Sequence, residues 1–502
     1  MKKLSLGHFF LFFLTSFLIG VFIQENLSFL NFYWLIFVFI SILFVFIFKL
    51  QKKILIILII NLGLIAGNFW IYYQNQKTEN ALQSYENQEI IAQGVAYNFS
   101  DWGTKSIFFV NLAKIKDQKT SSKIAVISYE QKYAIMENPK LEISGKLEKI
   151  PKDDFLYSWA KKEEIRYVIK KSEIEFIHNI NQEKFWLQKI YFKIQENLIA
   201  FRKLASRKIS QTLPEPEASF LDGIILGSKQ NMTQKMLDEF SATGTSHLIA
   251  LSGFNITIIV YFFLSILKSW PRKLTFFIII AGILSFVIMT GASASIVRAA
   301  LMGTILLIAE RFGRIAEASI AMCLAAFLIV LFSPAAIRFD VGFQLSFLAT
   351  VGIIYISPLI HHFIFEKKYK KFPEVLQEAF SGTISAQIMV LPILIFNFEK
   401  ISIVSPLVNL IVVPIVPIAM FFGFIQILIS FIWAGLGQAI GWFTWLILKI
   451  TLEIIQFFAR IPLAQIEIKQ MSPILIALFY VGIILLIIYF NKKKKKDEKQ
   501  NL

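Results

Sequence analysis

Polar side chains able to do chemistry are concentrated in one short stretch of an otherwise apolar region. Hydroxyl, imidazole and amide groups occur together there, at Thr243, Ser246, His247, Ser252 and Asn255. Facing lipid they would be unfavourable, so they predict either hydrogen bonds between helices or the lining of a polar or catalytic site. If the stretch is one helix, Ser252 and Asn255 share about one face with Thr245.

An enzymatic reading of this stretch depends on Ser246 and His247. Residues adjacent in sequence point in different directions on a helix, and the Gly-x-Ser-x-Gly pattern of a hydrolase elbow is absent. An intramembrane enzyme or a small-solute transporter that uses this pair is therefore the alternative to a polar pathway.

A second polar group surrounds Arg298, a charged residue within an apolar run. Such a charge usually faces the bundle interior or water, which would suit a polar pathway. The alternative is a structural arginine whose charged end reaches the membrane interface, because Arg298 lies close to the start of the run. Further polar candidates in the same half are Asp222, Ser295, Gln344 and Ser346. Asp222 could equally be a surface charge at a helix end.

Several kinds of catalytic and metal site are missing from the sequence. It contains no GxxxxGK(S/T) loop and no HExxH motif, which excludes a P-loop NTPase and a zincin. The sequence contains a single cysteine, Cys323, which lies in an apolar run. Neither an intrachain disulfide nor a zinc site built from several cysteines is therefore possible. We therefore expect no catalytic residue, no metal and no cofactor.

The elements that must hold these residues are membrane helices. Hydrophobic residues make up 56% of the 502 residues and charged residues 17%, against about 45–50% and about 25% in soluble domains. The apolar residues cluster into runs long enough to cross a bilayer. A wholly soluble fold and a disordered chain are excluded, and the predicted fold class is a polytopic α-helical membrane protein.

The apolar runs predict about 11–12 spanning helices. Three lie before residue 73, at 9–23, 32–48 and 54–72, and the first is interpreted as a span because no small-residue cleavage site follows it. The later spans are predicted at 247–267, 274–290, 294–310, 315–333, 341–360, 380–397, 402–423, 434–458 and 472–490. Pro406, Pro414 and Pro417 predict a helix that is broken at membrane depth, where it would face protein or a wet cavity.

A polar insert follows the third helix. Strand-like segments at 90–92, 106–112, 123–129 and 140–147 are separated by Gly, Asn and Asp, which predicts a small β-barrel or sandwich of about 100 residues. Apolar residues at helical spacing then predict an amphipathic helix. The expected domains are membrane helices at 1–73, the β domain at 74–181, the connecting helix at 182–216, a second membrane domain at 217–490 and a basic tail at 491–502.

Loops rich in Lys and Arg predict the orientation of the chain. Placing the basic loops at 49–53, 268–273, 311–314 and 367–371 in the cytoplasm lets the spans alternate, with both termini cytoplasmic. The β domain is then extracytoplasmic. These loops and the tail also account for most of the net charge of +17, so the charge by itself says little about a nucleic-acid partner.

The motifs of the second half resemble those of the ComEC-type competence family. In order they are Leu221-Asp-Gly-Ile-Ile-Leu-Gly227, Thr243-Gly-Thr-Ser-His-Leu-Ile-Ala-Leu-Ser-Gly253, Val297-Arg-Ala-Ala-Leu-Met302, Gly313-Arg314, Val341-Gly-Phe-Gln-Leu-Ser-Phe347, Ser385-Ala-Gln387 with Pro392, and Asn409 with Pro414. The first half is similar as well, since family members carry membrane helices and an extracytoplasmic OB-like barrel. Phe155-Leu-Tyr157 with Glu164-Ile165 resembles the segment that closes that barrel.

The resemblance implies a channel in the bacterial cytoplasmic (inner) membrane that passes single-stranded transforming DNA into the cytoplasm during natural competence. It adds Gln387 and Asn409 to the channel-lining candidates. The implied partners are single-stranded DNA, the lipid bilayer and a DNA receptor. A cytoplasmic ATPase or ssDNA-binding proteins would supply direction.

Two departures from the family pattern bear on chemistry. Many members continue into a metallo-β-lactamase-like nuclease domain, whereas this sequence ends at Leu502 and contains no HxHxDH motif. We therefore expect a short form that relies on a separate nuclease. Asn255 also stands where many members have His, which weakens the case for a metal or proton site at that position.

An OB-like barrel could receive the strand, because aromatic side chains stack on bases and lysines contact phosphates. The candidates are Tyr97, Phe99, Trp102, Lys105 and Lys114. Phe108 and Phe109 are expected in the barrel core. A further interpretation makes the membrane helices only an anchor for an external binding module.

Overall fold

The computed structural model describes most of the chain. The described residues are 6–26, 54–80, 82–101, 106–116, 118–120, 122–129, 140–151, 156–170, 173–176, 186–228, 231–249, 251, 253–292, 294–312, 317–366, 373–468 and 471–500. The span predicted at 32–48 lies outside them, as do Trp102, Lys105 and Ser252. The chain forms two compact units, Met1–Gln188 with Ala326–Asp340, and Lys189–Ala325 with Val341–Leu502.

The first unit combines helices with strands, and the second unit is mostly helical. In chain order they are α1 (Leu6–Asn26), α2 (Ile54–Asn80), α3 (Leu156–Lys162), α4 (Trp186–Thr212), α5 (Glu217–Leu226), α6 (Gln234–Ala242), α7 (Ser246–Ile249), α8 (Gly253–Ile266), α9 (Arg272–Met289), α10 (Ala294–Arg311), α11 (Ala318–Phe332), α12 (Ala336–Phe339), α13 (Val341–Tyr355), α14 (Ser357–Ile360), α15 (Glu374–Phe398), α16 (Ser405–Ile432), α17 (Ala434–Ala459) and α18 (Pro473–Gln500). The strands are β1 (Glu89–Asp101), β2 (Ser106–Ile115), β3 (Gln118–Lys119), β4 (Lys123–Ser128), β5 (Lys140–Lys149), β6 (Tyr167–Lys170), β7 (Glu173–Phe176), β8 (Lys400–Ser402) and β9 (Gln465–Glu467).

Small residues let α1 and α2 pack closely. Gly63 and Gly67 lie one helical turn apart on α2, and a side chain at either would collide with the backbone of α1. Such small-xxx-small faces bring membrane helices into close van der Waals contact. α1 also contacts α11, where the ring centroids of Phe17 and Phe327 are 4.8 Å apart.

A closed β-barrel fills the polar insert, which confirms the prediction of a small barrel. The strands pair in the order β1–β2–β4–β6–β5, and β5 pairs back onto β1. All neighbours in this ring are antiparallel except β4 and β6, which are parallel. A five-stranded Greek-key ring of this kind is the architecture of the OB-fold. Its interior is filled by alternate side chains such as Ile90, Phe108, Val110 and Leu141.

Helix α3 covers one outer wall of the barrel. Ile107, Phe109 and Ala125 alternate with the interior residues of β2 and β4, yet they are buried. Leu156 and Ala160 of α3 pack on them and form a second apolar cluster. The segment between β5 and β6 is therefore a helix laid on the barrel wall.

Six described helices are long and apolar enough to cross a membrane. They are Arg272–Met289, Val341–Phe365, Leu376–Phe398, Ser405–Ile432, Ala434–Ala459 and Pro473–Lys494. Shorter apolar helices lie at Phe10–Gln24, Asn255–Ile266 and Ala318–Phe332. The chain is therefore a multi-pass helical membrane protein.

The span predicted at 247–267 is wrong as a single helix. α7 ends at Ile249, α8 begins at Gly253, and Leu251 between them is not helical. Ser and Gly are weak helix formers, which favours a joint at this point. Thr245 and Asn255 consequently do not share one helix face.

The prediction that three prolines break a helix is also wrong, because α16 continues past all of them. Pro406 stands in its first turn, where a backbone N–H would have no helical partner. Pro414 and Pro417 lie in the interior. Each of these two removes one backbone hydrogen bond, so the carbonyls of Leu410 and Val413 lose their usual donor.

The second unit is built around α5, which is buried along its whole length. α16 approaches it closely, since Gly423 leaves the space that Leu221 occupies. α4 is amphipathic: Ala205 and Ile209 face the core, whereas Lys203 and Arg207 are exposed. This packing places the polar motifs of the second half near one another.

Candidate functional site

Ser405 is the centre of a polar junction in the second unit. Its hydroxyl oxygen lies 3.1 Å from the Gln387 Nε2 and 3.0 Å from the Asn409 Nδ2, and it accepts a hydrogen bond from each. Gln387 belongs to α15, while Ser405 and Asn409 lie one turn apart on α16. Two residues nominated by the family resemblance therefore meet on a third that sequence reasoning did not select. The sequence feature that could have identified Ser405 is its place directly before Pro406, at the start of a helix.

A tight turn at Gly244 packs on this junction. Gly244 has a φ of +66°, in the left-handed region that favours glycine. A Cβ at this position would lie 2.5 Å from the Ser405 Oγ and 2.7 Å from its Cβ. The hydroxyls of the fully buried Thr243 and Thr245 are 2.8 Å apart beside it. We call Gly244, Gln387, Ser405 and Asn409 the Ser405 junction.

Ser246 and His247 lie on the exposed side of the same turn. The His247 Nδ1 is 3.2 Å from the carbonyl oxygen of Gly244, so the ring is held against its own turn. α7, which carries both residues, ends at Ile249. The pair is thus part of a short surface turn and not of a spanning helix.

Asn255 and Asp222 join helices by hydrogen bonds. The Asn255 Nδ2 donates to the Ile224 carbonyl at 2.7 Å, from α8 to α5. The Ser206 hydroxyl donates to the Asp222 carboxylate at 3.0 Å, from α4 to α5. Both Asn255 and Asp222 are only 4% exposed. Asp222 is therefore not the surface charge that its place near a helix end allowed.

Arg298 is buried between α10 and α13, with 3% of its surface exposed. Its guanidinium carbon lies 5.9 Å from the ring centroid of Phe347, within cation–π range. A charge that faces protein in this way differs from an arginine that extends to the membrane interface. Ser295, Gln344 and Ser346 are half-buried on the same two helices. α10 and α13 thus bring two of the sequence motifs together.

The aromatic residues of the barrel belong largely to its packed layers. Phe108 and Phe109 are fully buried, as predicted for core residues. Tyr97 is half-buried with its ring 5.9 Å from that of Phe109, which in turn lies 4.2 Å from the Trp159 ring of α3. Burial, with the charge of Glu163 as the second cause, raises the pKa of Tyr97 above its ordinary value.

The other barrel candidates lie around β1 and β2. Lys114 is half-buried on β2, and Phe99 belongs to β1. The side chain of Phe99 lies outside the described part of the structure, as do Trp102 and Lys105. OB-folds bind oligonucleotides on the face of their second and third strands and on two loops. Here Leu156 and Ala160 of α3 pack on the outer side of β2 and β4 and cover that face.

The end of α3 carries a perturbed carboxyl group. Glu164 has a φ of +63° and a half-buried side chain. Burial raises the pKa of Glu164 above its ordinary value, although the charges of Lys123 and Lys161 act in the opposite direction. Among the described residues, no group of three or more His, Cys, Asp or Glu could hold a metal ion.

The fold and these contacts define a multi-pass helical membrane protein with a closed β-barrel and buried polar junctions in its second helical unit. Residues 224–493 match the family model described as "Competence protein". This match spans more than half of the chain, so the chain belongs to the competence protein family.

One curated relative is similar to the chain over part of its own length. The chain is 26% identical over 292 residues to the ComE operon protein 3 of Bacillus subtilis (strain 168). The aligned region covers 57% of this chain and 36% of that relative. The chain therefore spans well under two thirds of its length. No solved structure matches the chain.

Proposed function

We propose that this chain is a channel of the bacterial inner membrane that passes single-stranded DNA into the cytoplasm during natural competence. Membership of the competence family and the similarity to ComE operon protein 3 support a role in DNA uptake. The observation that carries the proposal is the Ser405 junction. Residues from motifs far apart in sequence converge there on one point, which supports their belonging to one pathway.

The chemistry of the second unit suits a polyanionic strand. A single strand carries a charge at each nucleotide, so its path must be wet and electropositive. Arg298 provides a positive charge inside the bundle, and the interior prolines of α16 leave two carbonyls without helical donors. We propose as path residues the set Asp222, Thr243, Ser246, His247, Ser252, Asn255, Ser295, Arg298, Gln344, Ser346, Gln387 and Asn409.

The contacts of α3 support an extracytoplasmic barrel. Lys162 of α3 pairs with Asp340, in the turn between α11 and α13. The loops at the other ends of these two helices, 311–314 and 367–371, are basic and therefore belong in the cytoplasm. The turn, and the barrel with it, are then on the outer side. A DNA receptor would deliver the strand there, and a nuclease would degrade its complement.

Direction in this proposal comes from the cytoplasmic side. The sequence contains no P-loop, so we assign the pulling force to a cytoplasmic ATPase or to ssDNA-binding proteins that trap the emerging strand. The channel residues then need only to hold the strand weakly, because tight binding at any one point would stop its movement.

Deletion of the gene in a transformable host tests the proposal directly. Fluorescent double-stranded DNA should still bind to the cells but should no longer enter the cytoplasm, and the full-length chain should restore entry. Unchanged cytoplasmic label in the deletion strain would contradict the channel. Loss of entry in Ser246→Ala or His247→Ala chains, combined with no effect of deleting the barrel, would favour the enzyme or solute transporter instead.

Cysteine labelling tests the orientation. The sequence contains a single cysteine, Cys323, which is buried. Labelling of an Asn111→Cys variant, at an exposed position of the barrel, therefore reports on position 111 alone. A membrane-impermeant maleimide should label position 111 in intact cells. A cysteine at Lys492 in the tail should react only after permeabilisation. The reverse pattern would place the barrel in the cytoplasm.

A further inference from the structure

We propose that the Lys162–Asp340 ion pair is a positioning joint that ties the barrel to the start of helix α13, which carries part of the path. This inference rests on the channel function proposed above. The Lys162 Nζ lies 3.3 Å from the Asp340 Oδ2. Beside this ion pair, the rings of Tyr157 and Phe339 meet edge to face, with centroids 5.9 Å apart. A charged contact and an apolar contact thus join α3 to the turn at 336–340.

The barrel side of the joint is rigid. Leu156 and Ala160 of α3 are buried in the apolar cluster on the outer wall of β2 and β4. A helix packed in this way moves with the strands beneath it, because packed interiors transmit displacement instead of absorbing it. Any shift of the barrel wall therefore reaches Lys162 at the end of α3.

The other residue of the ion pair, Asp340, directly precedes a helix that carries proposed path residues, α13. Asp340 has an extended backbone (φ −95°, ψ 92°). α13 carries Gln344 and Phe347, and Phe347 lies against Arg298. The joint is therefore one residue away from the helix whose position sets the surroundings of the buried arginine.

This ion pair differs from an ordinary surface pair because one of its partners is almost buried. The Asp340 side chain is 6% exposed and the Lys162 side chain 35% exposed. Loss of Lys162 would leave a largely buried carboxylate with one charged partner fewer, which costs more than loss of an exposed ion pair. Lys161, the neighbouring lysine of α3, provides a matched control for loss of a positive charge in the same helix.

The test combines four variants of the full-length chain. Lys162→Met removes the charge, Lys162→Arg keeps it, and Asp340→Asn removes the acidic charge while it retains a good helix-capping side chain. The double variant Lys162→Met with Asp340→Asn closes a mutant cycle. Two readouts are measured: amide hydrogen exchange of 156–162 and 336–344 in lipid nanodiscs, and DNA uptake in the complemented deletion strain.

We expect Lys162→Met and Asp340→Asn each to speed exchange in both segments by several fold and to lower uptake about tenfold. The double variant should be no worse than the more severe single variant. Lys162→Arg should keep uptake and protection within about twofold of the unaltered chain, and Lys161→Met should do the same.

Two results would overturn the joint: unchanged exchange in both single variants, or faster exchange with normal uptake. Additive losses in the double variant would also count against it, because independent sites add and a coupled pair does not. If the deletion strain itself takes up DNA normally, the channel proposal fails instead. The exchange data then still decide whether Lys162 and Asp340 hold α3 to the start of α13.

Discussion

The side-chain amide of Asn255 donates to the backbone carbonyl of Ile224 at 2.7 Å and so satisfies one of the last carbonyls of the buried helix α5. Such carbonyls have no partner within their own helix. A polar residue at the start of α8 therefore completes the end of another helix.

Replacement of Asn255 by Ala should lower the free energy of unfolding by about 1–3 kcal/mol, because it removes this donor from a buried carbonyl. Thr257→Ala is the matched control. The exposed Thr257 hydroxyl donates only within its own helix, to the Gly253 carbonyl, so its loss should have an effect below about 0.5 kcal/mol. Unfolding measured by steric trapping in bicelles compares the two, and equal losses would contradict the role of Asn255.

Gly244→Ala should damage the Ser405 junction. The left-handed conformation of Gly244 disfavours a side chain by about 1–2 kcal/mol, and the added Cβ would displace Ser405 from Gln387 and Asn409. We expect lower stability and loss of DNA uptake at normal expression.

Gly382→Ala is the control for that substitution. Gly382 lies inside α15, with nothing within 4 Å of an added Cβ. Alanine there should stabilise the helix by about 0.5–1 kcal/mol and leave uptake unchanged. Equal thermal stability and equal uptake for the two variants would show that the turn does not depend on glycine.

Arg298→Ala should reduce uptake at least about tenfold, because it removes a positive charge from the bundle interior. Arg311, at the other end of the same helix, also contacts a ring, with its guanidinium 4.7 Å from the centroid of Phe276. Arg311 is exposed, so Arg311→Ala should change uptake less than about twofold. Labelled-DNA entry at matched membrane levels measures both. A larger effect of Arg311→Ala would show that the charge important for uptake lies at the exposed end of α10 and not inside the bundle.

Glu164 should make barrel stability depend on pH. Its folded-state pKa is raised above the ordinary value of 4.5 by burial. The stability associated with its protonated form is therefore fully present below about pH 4.5 and is lost as the pH rises through the higher folded-state pKa. Glu164→Gln should make the chain more stable than the unaltered protein at neutral pH, and the difference should shrink as the pH falls towards 4.5.

Calorimetry of the full chain over this pH range tests the prediction for Glu164. Glu175→Gln, at an exposed position on β7, serves as the control and should show no such trend. A Glu164→Gln profile parallel to that of the unaltered chain would contradict the assignment.

Features that depend on neighbouring residues could be predicted from the sequence. The strands predicted at 106–112 and 140–147 are present at 106–115 and 140–149, because alternation and turn residues are local signals. The break between α7 and α8 is not predictable in this way, since a short apolar stretch with Ser and Gly is compatible with one weak helix or with two. The uninterrupted α16 is not predictable either, because neighbouring helices override the local preference of proline.

The sequence by itself determined the membrane class, the barrel and the set of polar residues, because bilayer transfer and local backbone preference belong to runs of adjacent residues. Only the tertiary structure decided which polar residues meet. Gly244, Gln387, Ser405 and Asn409 converge, Asn255 completes the end of α5, and Lys162 reaches Asp340. Those contacts join residues from different elements, and their geometry follows from how helices and barrel pack, which no local pattern encodes.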